Sequence, residues 1–346
     1  MMDSEFMTLL KDLEKEKGIS YEALIEAIEM ALVSAYKKSF SSQQDVVVKI
    51  DRQTAEMKAY IRRTVVEEVA YPETEISLED AKNMDESLEV GGFVDEETMP
   101  PTFGRIAAQT ARQVVIQRIR EAERDAIYSQ FSDKIGDIVS GVVQRFERKN
   151  IMLEIGKLEA ILAPNEQVPG ETFNQGERIK VYVVDVSKTT KGPQVVISRT
   201  HPGMVRRLFE LEVPEIQNGT VEIKSVAREA GFRTKIAVVA NDANVDPIGS
   251  CVGAKGSRVQ NVVDVLGEKV DIVQYCDDTA EYIAEALKPA KVTNVMVDEE
   301  EQICQVVVPD NQLSLAIGSG GQNARLAAKL TGWKIDIKSE TAIAEG

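Results

Sequence analysis

The sequence predicts a multidomain α+β protein, and three observations carry that expectation. At 346 residues the chain exceeds the roughly 100 to 200 residues of one ordinary domain. Its pattern changes twice, from helical periodicity with a few β-rich runs, to closely spaced short strands from Lys134, to a helix, hairpin and glycine-turn unit that occurs two times. Hydrophobic residues make up 43% and charged residues 28%, enough apolar material for real cores and too much for a disordered chain.

The front of the chain is the α+β part. Residues 4–17 and 20–38 read as helices, the second with Leu24, Ile25, Ile28, Leu32 and Ala35 on one face and Ser20 as its N-cap. Residues 45–50 and 55–67 are β-rich and predict a small sheet on those helices. Gly91-Gly92 and Pro100-Pro101 then interrupt the pattern before a long helix over 102–131, which carries Ile106, Thr110, Val114, Ile119 and Ala122 near helical spacing. That helix closes a first domain, 1–131.

Residues 132–200 read as five short strands, at 136–144, 151–155, 158–162, 178–186 and 194–198. So many strands in so short a span predict a small closed barrel. The loop through Pro164, Pro169 and Gly170 fits the long connection of an oligonucleotide-binding (OB) barrel.

The last third repeats itself, as 201–276 and 277–346. A helix at 204–212 and a hairpin, 221–225 with 234–239, precede "CVGAKGSRVQNVVDVLGEKVDIV". A helix at 279–287 and a hairpin, 292–297 with 302–308, precede "AIGSGGQNARLAAKLTGWKIDIK". Gly253, Gly256, Gly267, Lys269 and Asp271 of the first copy recur 65 residues on as Gly318, Gly321, Gly332, Lys334 and Asp336. Matching at five polar or glycine positions marks a true internal repeat.

The chemistry sits in the GxxG turns. Glycine at both ends lets backbone approach a phosphate closely, and the following helix points free N–H groups and its positive end at it. The candidate RNA-binding residues are therefore Gly253, Ala254, Lys255, Gly256 and Arg258 in the first copy. In the second they are Gly318, Ser319, Gly320, Gly321, Asn323 and Arg325, a loop with no cation of its own. A single GxxG serves helix packing; two copies in matching contexts favour a ligand. On the barrel, Arg145, Phe146, Arg148, Lys149 and Tyr182 combine charge for phosphates with rings for bases, the alternative being that the two rings merely pack. Arg105, Arg112, Arg118, Arg120 and Arg124 on the long helix either meet RNA or solvate the helix.

Several function classes are excluded. No Gly-Lys-Ser/Thr follows a strand and no dinucleotide fingerprint is complete. The single histidine, His201, stands beside Pro202 at a domain junction and is expected to be a linker. Cys251, Cys276 and Cys304 are far apart with no CxxC, so no disulfide framework, zinc site or other metal site is expected. The acidic run 298–301 reads as a solvated hairpin tip. No catalytic residues and no cofactor are expected, and without a leader or an apolar run of about 18 residues the protein is expected in the cytoplasm with no membrane contact. The net charge of -16, taken as one number, argues against nucleic acid, but it is uneven. Residues 1–131 hold 26 acidic against 16 basic side chains, 132–200 hold 9 against 10, and 201–276 hold 10 against 9. The acidic front suits a protein partner.

The order of these parts resembles a known family. The segments "GDIVSGVV", "GERIKVYVVDV" and "GPQVVISRT" resemble S1-type RNA-binding barrels. The repeated glycine turns resemble KH domains, which clamp about four nucleotides of single-stranded backbone, with the hairpin placed before the helices as in bacterial type II KH folds. Together with "DESLEVGG", "TARQVVIQRIREAER", "LFELEVPEI", "NDANVDPIGSCVGAKGSRVQNV" and "AIGSGGQNARLAAKLTGW", essentially the whole chain is similar to the NusA family of transcription elongation, termination and antitermination factors. The resemblance implies a monomer whose residues 1–131 dock on RNA polymerase core near its RNA exit channel. The S1 barrel and the two tandem KH domains would hold the nascent single-stranded transcript, and other Nus factors would be further partners. Some family members add acidic repeats after the second KH domain; the sequence stops at Gly346, so autoinhibition by such a tail is not expected. The competing readings are an RNA-processing enzyme and a ribosome-associated S1/KH protein without polymerase contact. Polynucleotide phosphorylase, which also joins these modules, has KH before S1 behind large catalytic domains.

Overall fold

The computed structural model describes residues 4–40, 44–54, 56–156, 158–189 and 192–344. They fall into two compact units, Met1–Ile127 and Tyr128–Gly346.

In the first unit, helices α1 (Ser4–Lys17) and α2 (Tyr21–Phe40) cover strand β1 (Asp45–Ile50), which pairs antiparallel with β2 (Met57–Val66). The expected strand begins at Ala55, which lies outside the described residues. Two strands and a helix are not legible in the sequence: β3 (Glu75–Ser77), α3 (Leu78–Met84) and β4 (Phe93–Glu97). Both strands pair with β2. They lack apolar alternation because cross-strand ion pairs, Arg62 to Asp95 at 2.8 Å and Arg63 to Glu96 at 2.6 Å, stand in for apolar contacts on β4.

Helix α4 (Phe103–Ser132) buries Phe103, Ala107, Ala111 and Val115, spaced four apart as one face requires. The face expected from bulky residues, Ile106, Val114 and Ile119, is only its half-buried flank. Small alanines let the helix approach the core, so volume rather than hydropathy chose the seam. Phe103 meets the Tyr36 ring edge-on at 5.1 Å between centroids, and Leu10, Leu24, Ile28 and Leu32 belong to the same cluster.

The second unit begins with the expected barrel. Strands β5 (Ile138–Glu147), β6 (Asn150–Ile155), β7 (Leu158–Leu162), β8 (Arg178–Thr189) and β9 (Gly192–Ser198) close in the order β5-β6-β7-β9-β8. Alternation along β8 puts Ile179, Val181 and Val183 inside with Val143, Leu153 and Leu162. Arg199, buried at the end of the barrel, donates to Glu171 (2.7 Å through Nε) and to the carbonyls of Lys180 and Val265. Those bonds tie the barrel to the first repeat.

That repeat contains α5 (Pro202–Glu212), α6 (Pro214–Gln217), β10 (Val221–Glu229), β11 (Arg233–Ala240), α7 (Pro247–Val252), α8 (Ser257–Leu266) and β12 (Lys269–Gln274). Its partner contains α9 (Thr279–Ala286), β13 (Asn294–Asp298), β14 (Ile303–Val308), α10 (Leu313–Ile317), α11 (Gln322–Thr331), β15 (Lys334–Ser339) and α12 (Glu340–Ala344). Each sheet is an antiparallel hairpin with a third strand parallel to its second member. Asp246 caps α7 by accepting from the Ile248 N–H, with Pro247 in the first turn. Gly267 and Gly332 end α8 and α11 in the left-handed conformation, at φ 69° and 79°. The two copies share a core: Ala227, Ala237 and Val273 of the first sheet pack with Ile283, Leu326 and Ala327 of the second copy. The Tyr282 hydroxyl pairs with Ser225 at 2.8 Å, and the buried Lys235 ammonium donates to the Lys288 carbonyl at 2.9 Å. Among the described residues no helix is long and apolar enough to cross a membrane.

The thiols report on this packing. Cys251 and Cys304 are fully buried and Cys276 is partly exposed; burial pushes the Cys251 thiol up to about 12. A thiol reagent at pH 8 should label native protein at Cys276 first and reach Cys251 and Cys304 only on unfolding, as mass spectrometry of the labelled peptides would show.

Candidate nucleic-acid interface

The two GxxG loops have the same backbone. Gly253 and Gly318 open them at φ 74°, ψ 178° and φ 76°, ψ 170°. The third residue is left-handed in both, Lys255 at φ 53°, ψ 26° and Gly320 at φ 57°, ψ 24°. Gly256 and Gly321 follow at φ 81° and 76°. Each turn is closed by one bond, Gly256 N–H to Gly253 O and Gly321 N–H to Gly318 O, both 3.1 Å. The outer glycines do not shape the loop alone. In fact the third position is constrained too, and a lysine there bears a left-handed backbone that costs about 1 to 2 kcal/mol.

What braces each loop from behind is the residue five positions after its first glycine. A Cβ on Gly253 would lie 2.6 Å from Cγ of Arg258, and one on Gly318 would lie 2.8 Å from the backbone N of Asn323. Arg258 donates from Nη1 to Glu215 at 2.8 Å and to the Ser250 carbonyl at 2.7 Å. Asn323, buried at 5% exposure, donates to the carbonyls of Leu287 and Ala316, each at 3.0 Å. Both candidate ligands are thus tied to the helix entering the loop, and Asn323 does not face solvent. The repeat keeps a bracing position while changing its chemistry.

Ala254, Lys255, Ser319 and Gly320 are exposed. Arg325 is exposed as well, and its guanidinium reaches back from α11 to the Gly320 carbonyl. It also pairs with Glu229 of β10 at 3.0 Å. Beside the first loop runs a groove of about 870 Å³. Its apolar wall is Ile248, Val252 and Val259 from α7 and α8 with Val270 and Ile272 from β12, while Lys288 and Lys291 of the second repeat stand at its edge. Arg233 and Asp271, paired at 2.6 Å, line it too. Burial pushes the Asp271 carboxyl up, but Arg233 and Lys235 outweigh it and hold the group below the ordinary carboxylate range. The sequence does not single out these groove residues.

On the barrel, Arg148 (φ 58°) and Lys149 form the exposed tip between β5 and β6, and Phe146 is 51% exposed beside them. Arg145 does not join them as a free cation. It pairs with Glu159 and, at 2.6 Å, with Glu147, which raise its pKa. Tyr182 stacks on His201 at 4.8 Å and 7°, so it packs at the junction. His201 caps α5, its Nδ1 accepting from the Gly203 N–H at 3.0 Å. The five helix arginines are all exposed, and Arg118 pairs with Glu121.

A closed barrel followed by two such loop units defines a modular protein of S1 and KH RNA-binding domains. The sequence profiles agree: the NusA N-terminal domain matches residues 5–125, the S1 RNA-binding domain 132–198, and the NusA-like first and second KH domains 199–275 and 279–345. The chain is 58% identical over 345 residues to the transcription termination/antitermination protein NusA of Halalkalibacterium halodurans, covering 99% of this chain and 90% of that one. It is 58% identical over 341 residues to the protein of the same name from Bacillus subtilis, covering 98% and 92%. The solution structure of the N-terminal domain of NusA from B. subtilis is 52% identical, covers 35% of this chain and 98% of that one, and has a TM-score of 0.32. The chain belongs to the NusA family.

The bracing geometry separates two substitutions. Gly318→Ala should lower stability by about 1 to 3 kcal/mol, because the neighbour it meets is backbone and cannot yield. Lys255→Gly should leave stability unchanged or raise it by up to about 1 kcal/mol, relief of the left-handed strain opposing the added freedom of the unfolded chain. Thermal melts compare them, and equal losses would contradict this description of the loops.

Proposed function

We propose that this protein docks on RNA polymerase core near the RNA exit channel through residues 1–131 and holds the single-stranded nascent transcript with the barrel (132–200) and the two KH domains (201–276 and 277–346). In that position it modulates pausing, intrinsic termination and antitermination, alongside other Nus factors. The observation that carries the reading is the pair of loops with matching backbone angles, in a chain matched along nearly its full length by proteins named for termination and antitermination.

The chemistry is that of a binder. Lys255 and the loop amides receive phosphates, the groove between α8 and β12 takes bases, and Arg148, Lys149 and Phe146 add a charged and stacking contact on the barrel. Arg258 and Asn323 shape the loops. Each module is weak alone, but modules in covalent series near an exit channel meet the transcript at high effective concentration. The ion pairs on β2 and β4 leave Glu67, Glu68, Glu86 and Glu89 exposed, a surface that repels RNA and suits a basic protein partner. Among the described residues no group of three or more His, Cys, Asp or Glu could hold a metal.

Capture of purified polymerase core on the immobilised full chain tests the reading. Retention should survive ribonuclease and should be reproduced by residues 1–131 alone; retention lost with the RNA would favour an S1/KH protein without polymerase contact. Turnover of ATP, GTP or RNA is expected to stay at the level of a loop variant, since the sequence has no phosphate-binding lysine motif and its single histidine, His201, is engaged in capping α5.

A further inference from the structure

The second loop lacks a basic residue, yet it does not lack a cation nearby. Arg325 lies one turn into α11, and its guanidinium folds back over the loop to the Gly320 carbonyl. A Cβ on Gly321 would come within 3.3 Å of Arg325 Nη1, so the side chain covers the third and fourth loop positions. Gly320 is the repeat equivalent of Lys255. The charge that the first loop carries on its own third residue is delivered to the second from the helix.

That charge is already answered. Glu229, at the end of β10 in the first KH domain, accepts from Arg325 Nε at 3.0 Å and Nη2 at 3.3 Å. Its Oε2 also accepts from Gln322 Nε2 at 3.0 Å. Gln322 is the first residue of α11. The carboxylate thus stands between two donors beside the turn, where a phosphate oxygen would find the same partners. The Arg325 guanidinium, with help from Gln322, holds the Glu229 carboxyl below its usual range, so it is an anion at neutral pH. Arg325 is 54% exposed while Glu229 is 19% exposed, so an incoming anion can approach the guanidinium from solvent and compete there with Glu229.

We propose that Glu229 acts as an internal stand-in for a transcript phosphate, so that RNA reaching the second loop must take Arg325 and Gln322 from it. The inference rests on the RNA-binding reading above and deepens it. Glu229 sets the affinity of the second loop, and because it belongs to the first KH domain it lets one domain adjust the other. The first loop is arranged differently: its nearby carboxylate, Glu215, pairs with the bracing Arg258 at 2.8 Å rather than with Lys255 of the loop. The residue equivalent to Arg325 is Gln260, which bonds to Asp264 on its own helix at 2.7 Å.

The test uses the full chain and a labelled, unstructured single-stranded RNA of about 20 nucleotides, titrated across a salt series, with Glu229→Gln, Arg325→Ala and the double variant. Glu229→Gln keeps the side-chain shape and removes the anion. It should tighten RNA binding about threefold to tenfold and steepen the log–log salt dependence by about 0.7, one further phosphate contact on a single strand. Arg325→Ala should weaken binding, and the double variant should match Arg325→Ala, because the cation that Glu229 masks is gone. Glu229→Ala repeats the measurement should the glutamine variant melt early. Unchanged or weaker binding by Glu229→Gln, or a gain that persists without Arg325, would overturn the inference while leaving RNA binding intact. Absence of RNA binding by the wild-type protein would overturn the parent reading and this one with it.

Discussion

The first glycine of each GxxG loop is pressed against the residue five positions on, and neither position has room for a Cβ. Much of the site follows from that close approach. Because Gly253 and Gly318 sit there, Arg258 and Asn323 can reach the carbonyls of the helix behind and hold the turn closed. The turn then needs a left-handed third residue, and the two middle residues are left exposed at the head of the next helix. The repeat uses a charged brace in one copy and a buried amide in the other. The geometry is retained while the means differ.

That difference explains why the site is only partly legible in the sequence. Glycine spacing, the offset between the copies, the apolar alternation of β8 and the apolar run of β11 fix backbone periodicity, so the barrel, both hairpins and both turns can be read from residue order alone. The long helix is legible as a helix but not in the face it buries, because Ala107 and Ala111 carry too little hydropathy to reveal a seam set by close packing. Strand β4 is hidden because Asp95, Glu96 and Glu97 pair with basic residues across the sheet, a pattern that in one dimension looks like a solvated loop. Among the candidate ligands, Lys255, Arg148, Lys149 and Phe146 lie exposed as expected. Asn323, Arg258 and Arg145 have polar partners within the fold, and partner choice is invisible to residue type and spacing.

Within Tyr128–Gly346 the modules are joined by buried polar contacts as well as apolar ones. Arg199 with Glu171 and the Val265 carbonyl fixes the barrel to the first KH domain. Arg228 and Glu268, fully buried at 2.8 Å, brace the same region, with Thr234 donating to Glu268 at 2.6 Å. Lys235 reaches the second KH domain through the Lys288 carbonyl. Removing one partner from such a buried pair costs far more than the pair contributes, so these contacts help to fix the spacing between the modules. If the three proposed sites bind RNA, fixed spacing would let them act as one reader, since a transcript held at the first loop would lose little further entropy in meeting the next.

The central claim is that the two loops grip phosphate, and the most direct measurement places one carboxylate at the exposed second position of each. Ala254→Asp and Ser319→Asp are a matched pair, for neither position has a left-handed backbone. RNA affinity of the full chain is measured over a salt series, with thermal melts as the folding control. Both variants should melt like the wild type and bind single-stranded RNA more weakly, the loss being larger at Ala254, where Lys255 supplies a cation to be neutralised. Unaltered affinity in both would contradict the account and leave the glycines as helix-packing residues alone.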